Sequence, residues 1–155
     1  MTEKKLAFVS FQLFGDSYVA SLALDRLDGL EGNWEVKLKQ ATSVYANAIT
    51  DLRDAKAKLY TMHAEGKPVP AKEAWKLGDR VFSLVHRLSR LGLEVDGLYT
   101  HLCRDLGVKR MWLEKMIIFR SHIPKAALIP ATLKWAQCRD APKQSAYRIL
   151  SGQLK

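Results

Sequence analysis

The sequence predicts an all-α protein: a long antiparallel helical hairpin, then a helix-turn-helix unit, then short C-terminal helices. Three observations predict it. Apolar and small residues recur at spacings of 3 and 4 from Trp34 to Met62, which is a heptad seam along one helix. A second seam runs from Ala74 to Leu91 at the same spacings. Between them Gly66, Pro68 and Pro70 stop the first helix and turn the chain.

Taken in order, residues 1–33 form an apolar N-terminal segment that packs on the body of the protein or on a partner, with Phe8, Phe11 and Phe14 as the docking residues. Leu6–Phe14 reads as a short helix or a strand, and Asp16–Leu30 as another helix ended by Gly29 and Gly32. Glu3 and Gln12, with Gly15-Asp16 directly behind the apolar run, argue against a secretory leader.

Residues 34–92 form the hairpin. Its first helix, Trp34–His63, has Asn33 as N-cap and places Trp34, Leu38, Ala41, Tyr45, Ala48, Leu52, Ala55, Leu59 and Met62 on the seam. Lys37, Gln40, Asp51, Asp54 and Lys58 face water. The second helix, Ala71–Leu91, widens its stripe with Trp75, Phe82 and Val85, which suits burial by more than one neighbour. Either seam could instead pair with a second copy, giving a homodimer.

Residues 93–155 are the basic region, and the charge is lopsided. The formal net charge is +9, yet residues 1–100 are nearly neutral. After residue 100, Arg104, Lys109, Arg110, Lys115, Lys125, Lys134, Arg139, Lys143 and Arg148 are among eleven cations facing only Asp105, Glu114 and Asp140. A field of that sign draws a polyanion, because each neutralised phosphate releases condensed counterions. A helix is expected over Ala131–Asp140 and another over Gln144–Ser151, with Trp135 and Tyr147 lying among the charges where they could stack on bases.

Residues 99–118 read YTHLCRDLGVKRMWLEKMII. Leu102 and Leu106 bury one helix, Cys103 is the small residue where a second helix crosses, and Gly107 follows four positions later for a left-handed turn. Val108, Leu113 and Met116 complete the apolar pins. This segment resembles the helix-turn-helix superfamily. The resemblance implies that Arg110–Phe119 is a recognition helix whose N-terminal end enters a major groove, with Lys109, Arg110, Met111, Glu114, Lys115 and Ile118 exposed. Lys109, Arg110 and Lys115 would then meet phosphates or guanine edges, and Arg104 and Arg120 would clamp the backbone. Lys109 stands where the superfamily usually has a Ser or Thr cap.

A longer stretch carries Trp75-Lys76-Leu77-Gly78, Leu102–Gly107, Leu113, Phe119-Arg120 and Leu133-Lys134-Trp135. In that order they resemble the N-terminal helical domain of YhcG-like bacterial nucleases. The likeness implies a DNA-binding module of prokaryotic, plasmid or phage origin, and carries over no catalytic residue.

No phosphate-binding loop, dinucleotide fingerprint, HExxH or CxxC occurs. His101, Cys103, His122 and Cys138 are not clustered as zinc ligands are. The expectation is a non-enzymatic, cofactor-free nucleic-acid-binding protein, favouring duplex DNA with RNA as the other candidate. Two cysteines suit a reducing compartment, and no apolar run approaches a membrane span, so the place expected is the cytoplasm. The alternative is a helical structural or accessory subunit of a ribonucleoprotein complex, of the CRISPR effector small-subunit or reverse-transcriptase accessory type, that contacts nucleic-acid backbone.

Overall fold

Residues 7–14 alternate between two faces of an extended chain, with Ala7, Val9 and Phe11 buried and Gln12 exposed. That period of two decides the ambiguous N-terminus in favour of a strand. The computed structural model describes residues 6–22 and 34–154. It places strand β1 at Ala7–Phe14 and strand β2 at Ser17–Leu22, paired antiparallel with Phe14 opposite Ser17. Gly15, at φ +59°, opens the two-residue turn between them, where a side chain would be strained. A third strand, β3 at Leu93–Val95, runs parallel to β1, so the sheet order is β2-β1-β3.

The all-α expectation is therefore corrected: helices dominate, but a three-stranded mixed sheet precedes and interleaves with them. The helix expected over Asp16–Leu30 is likewise replaced by β2 as far as Leu22. Its remainder, with Gly29, Gly32 and the Asn33 cap, lies outside the described residues.

Helix α1 spans Trp34–Ala64 and helix α2 spans Ala71–Arg90. Gly66 at φ +70° closes the turn after α1. Lys58, near the end of α1, pairs with Glu73, at the start of α2, at 3.2 Å, as an antiparallel hairpin requires. Much of both seams is buried inside this chain. Ala41, Tyr45, Leu52 and Leu59 are buried on α1, joined by Ile49, and Ala74, Leu77, Val81, Leu84 and Leu88 on α2.

Tyr45 is the point where helix meets sheet. Its ring stacks on Phe11 at 4.1 Å and receives the edge of Tyr18 at 5.1 Å. Beyond Val95, among the described residues, β1 has no strand partner on the β3 side, and helix α3 (Leu98–Leu106) supplies side chains instead. The Phe11 N–H donates to Nε2 of His101 at 3.0 Å, while Arg104 donates to the Phe11 carbonyl at 2.9 Å. Because Nε2 accepts, Nδ1 is the protonated nitrogen and donates to the Gly97 carbonyl at 3.0 Å.

Helix α4 (Arg110–His122) crosses α2 closely at Gly78, where an added Cβ would lie 2.5 Å from the Met116 carbonyl oxygen. Arg120 then fills the space between the two helices. Its guanidinium bonds Asp79 at 2.8 Å and lies over the rings of Trp75 and Phe82 at 4.7 and 4.6 Å.

The helix expected over Ala131–Asp140 is also corrected. That stretch is irregular, with a single tight turn at Trp135–Gln137. Its backbone is used elsewhere: Trp135 donates to Val69 and Ala71 to Leu133, both at 2.8 Å, fastening the segment to the α1–α2 turn. Helix α5 covers Pro142–Leu150 and packs on α4. Among the described residues no helix is long and apolar enough to cross a membrane.

Candidate nucleic-acid interface

Three residues, Gly107 to Lys109, connect α3 to α4. Gly107 takes φ +66°, and the Gly107 and Val108 N–H groups both donate to the Cys103 carbonyl, at 2.9 and 3.2 Å. A left-handed residue at this point closes a helix end by returning orphan carbonyls to following N–H groups. Leu102, Leu106, Leu113 and Met116 are buried beneath the turn, and Cys103 is half-buried.

The start of α4 is the open part of this unit. Lys109, Arg110 and Met111 are exposed, Met111 at 68% the most exposed large apolar side chain among the described residues. No side chain caps the helix at Lys109, so the first-turn N–H groups point outward with the positive end of the helix dipole. Arg110 lies over the Tyr99 ring at 5.0 Å and approaches Glu114 at 3.5 Å. The Glu114 charge is thereby matched within α4, and Lys109 and Lys115 form no ion pair among the described residues.

The two arginines expected as backbone clamps are otherwise occupied. Arg104 holds the Asp105 carboxylate with two nitrogens at 2.9 Å, besides the Phe11 carbonyl. Arg120 is committed between α2 and α4. Arg104 keeps some surface, 45% of its side chain, and Arg120 only 20%. Both hold elements of the fold together through these contacts.

The remaining expected cations are exposed but lie outside α3 and α4. Lys134, Arg139, Lys143 and Arg148 lie after α4, and Arg139 approaches Asp140 at 3.7 Å. The rings of His122 and Tyr147 meet at 6.0 Å, so α5 joins α4 at its C-terminal end, about 18 Å along the axis from Arg110. Trp135 is buried against Phe119 and is closed to bases, whereas Tyr147 is 59% exposed. Of the N-terminal aromatics, Phe11 is wholly buried and closed to any partner, Phe8 is half-buried and Phe14 is 61% exposed.

One cluster escaped the sequence reading. The Asp105 carboxylate, 3% exposed, also accepts a hydrogen bond from the Tyr45 hydroxyl. Burial alone would raise its pKa. The bonds from Arg104 and Tyr45 outweigh burial and hold the carboxyl below its ordinary range. The same burial pushes the Tyr45 hydroxyl up. Arg53 and Lys56 on α1 donate to the Asp105 and Leu106 carbonyls, at 3.0 and 2.7 Å, and so cap the end of α3. The signal that pointed here was Asp105 itself, one of three acids in a cationic third.

Burial also raises the thiols of Cys103 and Cys138, the reverse of what a nucleophilic cysteine needs. Among the described residues no group of His, Cys, Asp and Glu could hold a metal ion. No protein-family model, curated protein or solved structure matches the chain.

Proposed function

We propose that this is a non-enzymatic nucleic-acid-binding protein of the cytoplasm, which takes duplex DNA through a helix-turn-helix formed by α3 and α4. The observation that supports it most is the exposed first turn of α4, where Lys109, Arg110 and Met111 stand free of the core at an uncapped helix start. With Lys115 they offer cations for phosphates and one apolar contact for a base edge. The glycine-closed turn beneath them gives the rigid mounting such a helix needs.

The test is competition. Duplex DNA, single-stranded DNA and RNA compete for the purified protein at two salt concentrations, and duplex wins, with affinity falling steeply as salt rises. The double variant Arg110→Glu/Lys115→Glu loses binding while its helical circular dichroism stays the same. Equal affinity of variant and wild type refutes the proposal.

A second reading, an accessory subunit of a ribonucleoprotein, draws on the β-hairpin tip, where Leu13, Phe14 and Val19 are 50%, 61% and 47% exposed. It requires a stoichiometric protein complex and binding to RNA or single strands as tight as to duplex.

A further inference from the structure

We infer that α1 carries the second half of the interface: Lys56 and Tyr60, beside the presented end of α4, hold the sugar-phosphate strand that borders the groove which α4 enters. The inference rests on the duplex-binding reading above and adds to it residues outside the two helices that the motif comprises.

The placement is specific. Lys56 and Tyr60 are four residues apart, one above the other on a single face of α1. The Lys56 ammonium donates to the Leu106 carbonyl at 2.7 Å, lies 3.7 Å from where a Cβ of Gly107 would stand, and sits 5.0 Å from the Tyr60 ring centre. Tyr60 in turn meets Trp112 edge-on at 5.8 Å. Lys56 is thus fixed over the turn between α3 and α4, and Tyr60 against the first turn of α4. Lys115 follows Trp112 by three residues, on the same side of α4.

The unspent chemistry is cationic. An ammonium has three donors, and Lys56 gives one to Leu106. The Tyr60 hydroxyl has no hydrogen bond among the described residues, and Tyr60 is 48% exposed. Lys56, Lys109 and Lys115 have no carboxylate partner among those residues, whereas Lys58, only two positions from Lys56, is paired with Glu73. Three unmatched ammonium groups and a free hydroxyl around one helix start complement a chain of regularly spaced anions.

Duplex geometry selects which part of the nucleic acid they meet. A helix with its side chains is about 10–12 Å across and a major groove about 12 Å wide. An element fastened alongside the helix therefore falls on the bordering strand, and reads phosphate rather than bases.

The test measures binding of a fluorescein-labelled, mixed-sequence duplex across a salt series. Lys56→Gln keeps an amide to donate to Leu106 and removes only the charge. It weakens binding roughly three- to tenfold and flattens the plot of log affinity against log salt by about 0.9. Lys56→Arg restores both, and Tyr60→Phe weakens binding with the slope unchanged. Lys39→Gln, the same charge change about 25 Å away along α1, does neither. Melting curves of all four variants separate a loss of folding from a loss of contact, because a fold defect leaves the slope of the active fraction intact. If wild type binds and Arg110→Glu/Lys115→Glu abolishes binding, yet Lys56→Gln matches wild type in affinity and slope, α1 is no part of the interface. If wild type binds no duplex at low salt, the duplex-binding reading itself is overturned.

Discussion

Replacing Gly78 by alanine tests how the proposed recognition helix is mounted. A Cβ at this position would lie 2.5 Å from the Met116 carbonyl oxygen and 2.8 Å from the Arg120 Cβ, against an ordinary contact that begins at 3.4 Å. Both neighbours belong to α4 itself, fixed to its backbone, so no side chain can swing aside. The helices must part by about 0.9 Å at the oxygen. Alanine brings about 1 kcal/mol of helix propensity. Overpacking of a tight contact costs about 1–3 kcal/mol, and drawing Arg120 away from Asp79 costs about 1.5–3 more for a charged hydrogen bond. The balance is a loss of about 1.5–5 kcal/mol. At about 2–4 °C per kcal/mol for a chain of this size, the melting temperature falls by roughly 3–20 °C. Urea denaturation followed by circular dichroism measures it, with Ser83→Ala, exposed on the same helix, as a control that stays within about 0.5 kcal/mol. A Gly78→Ala protein as stable as wild type, or more so, would show that α2 and α4 do not cross this closely.

Three further outcomes are expected. Asp105→Asn lowers stability at pH 7 by about 1–3 kcal/mol. Since the folded carboxyl titrates below its unfolded value of about 3.9, the contribution is complete above that value and disappears as pH falls through the folded one. The wild-type and variant denaturation curves should therefore converge in acid, and a gap that stays constant to the lowest pH counts against a paired carboxylate. His101→Phe leaves the Phe11 N–H without its acceptor, at about 1–3 kcal/mol, and the Phe11 amide then exchanges faster in hydrogen–deuterium measurements; unchanged exchange removes His101 as the cap of β1. Phe11→Ala loses about 3–5 kcal/mol, whereas Phe14→Ser changes stability by under about 0.5 kcal/mol. Equal losses at the two positions would mean that the hairpin tip is packed.

What the sequence made legible was periodic. The seams of α1 and α2 each repeat over enough residues to identify themselves, and α4 begins at the residue expected, Arg110. Ile49 was the omission on α1, because a strict heptad leaves it out although it is buried. The strands were harder. Leu6–Phe14 is apolar on both faces at several positions, which blurs a period of two. The sharper hairpin signal, Gly15-Asp16 between two apolar runs, is a two-residue turn. β3 is three residues long, too short to show any period, and exists because β1 is beside it. Charge was legible as an amount but not as a disposition. Arg104 and Arg120 count as cations in the sequence, and nothing in their spacing tells that Asp105 and Asp79 already hold them. Trp135 was similarly ambiguous, since the turn that buries it is stabilised by contacts from Val69 and Phe119, distant in the chain.

The middle strand of the sheet is made well before β3 and α3, which complete one side of it. β1 waits for β2 for only a few residues, but a lone two-stranded hairpin is marginal in water, and its other neighbours come from residues 93–104. At about 5–20 residues per second, several seconds of translation separate the two halves of that sheet. A chain arrested between α1 and α2 would carry Val9 and Phe11 uncovered on the β3 side, with an open edge that other chains can pair with. Removing the first 14 residues would not trim a tail. It would take out the strand that every other part of the sheet is built upon.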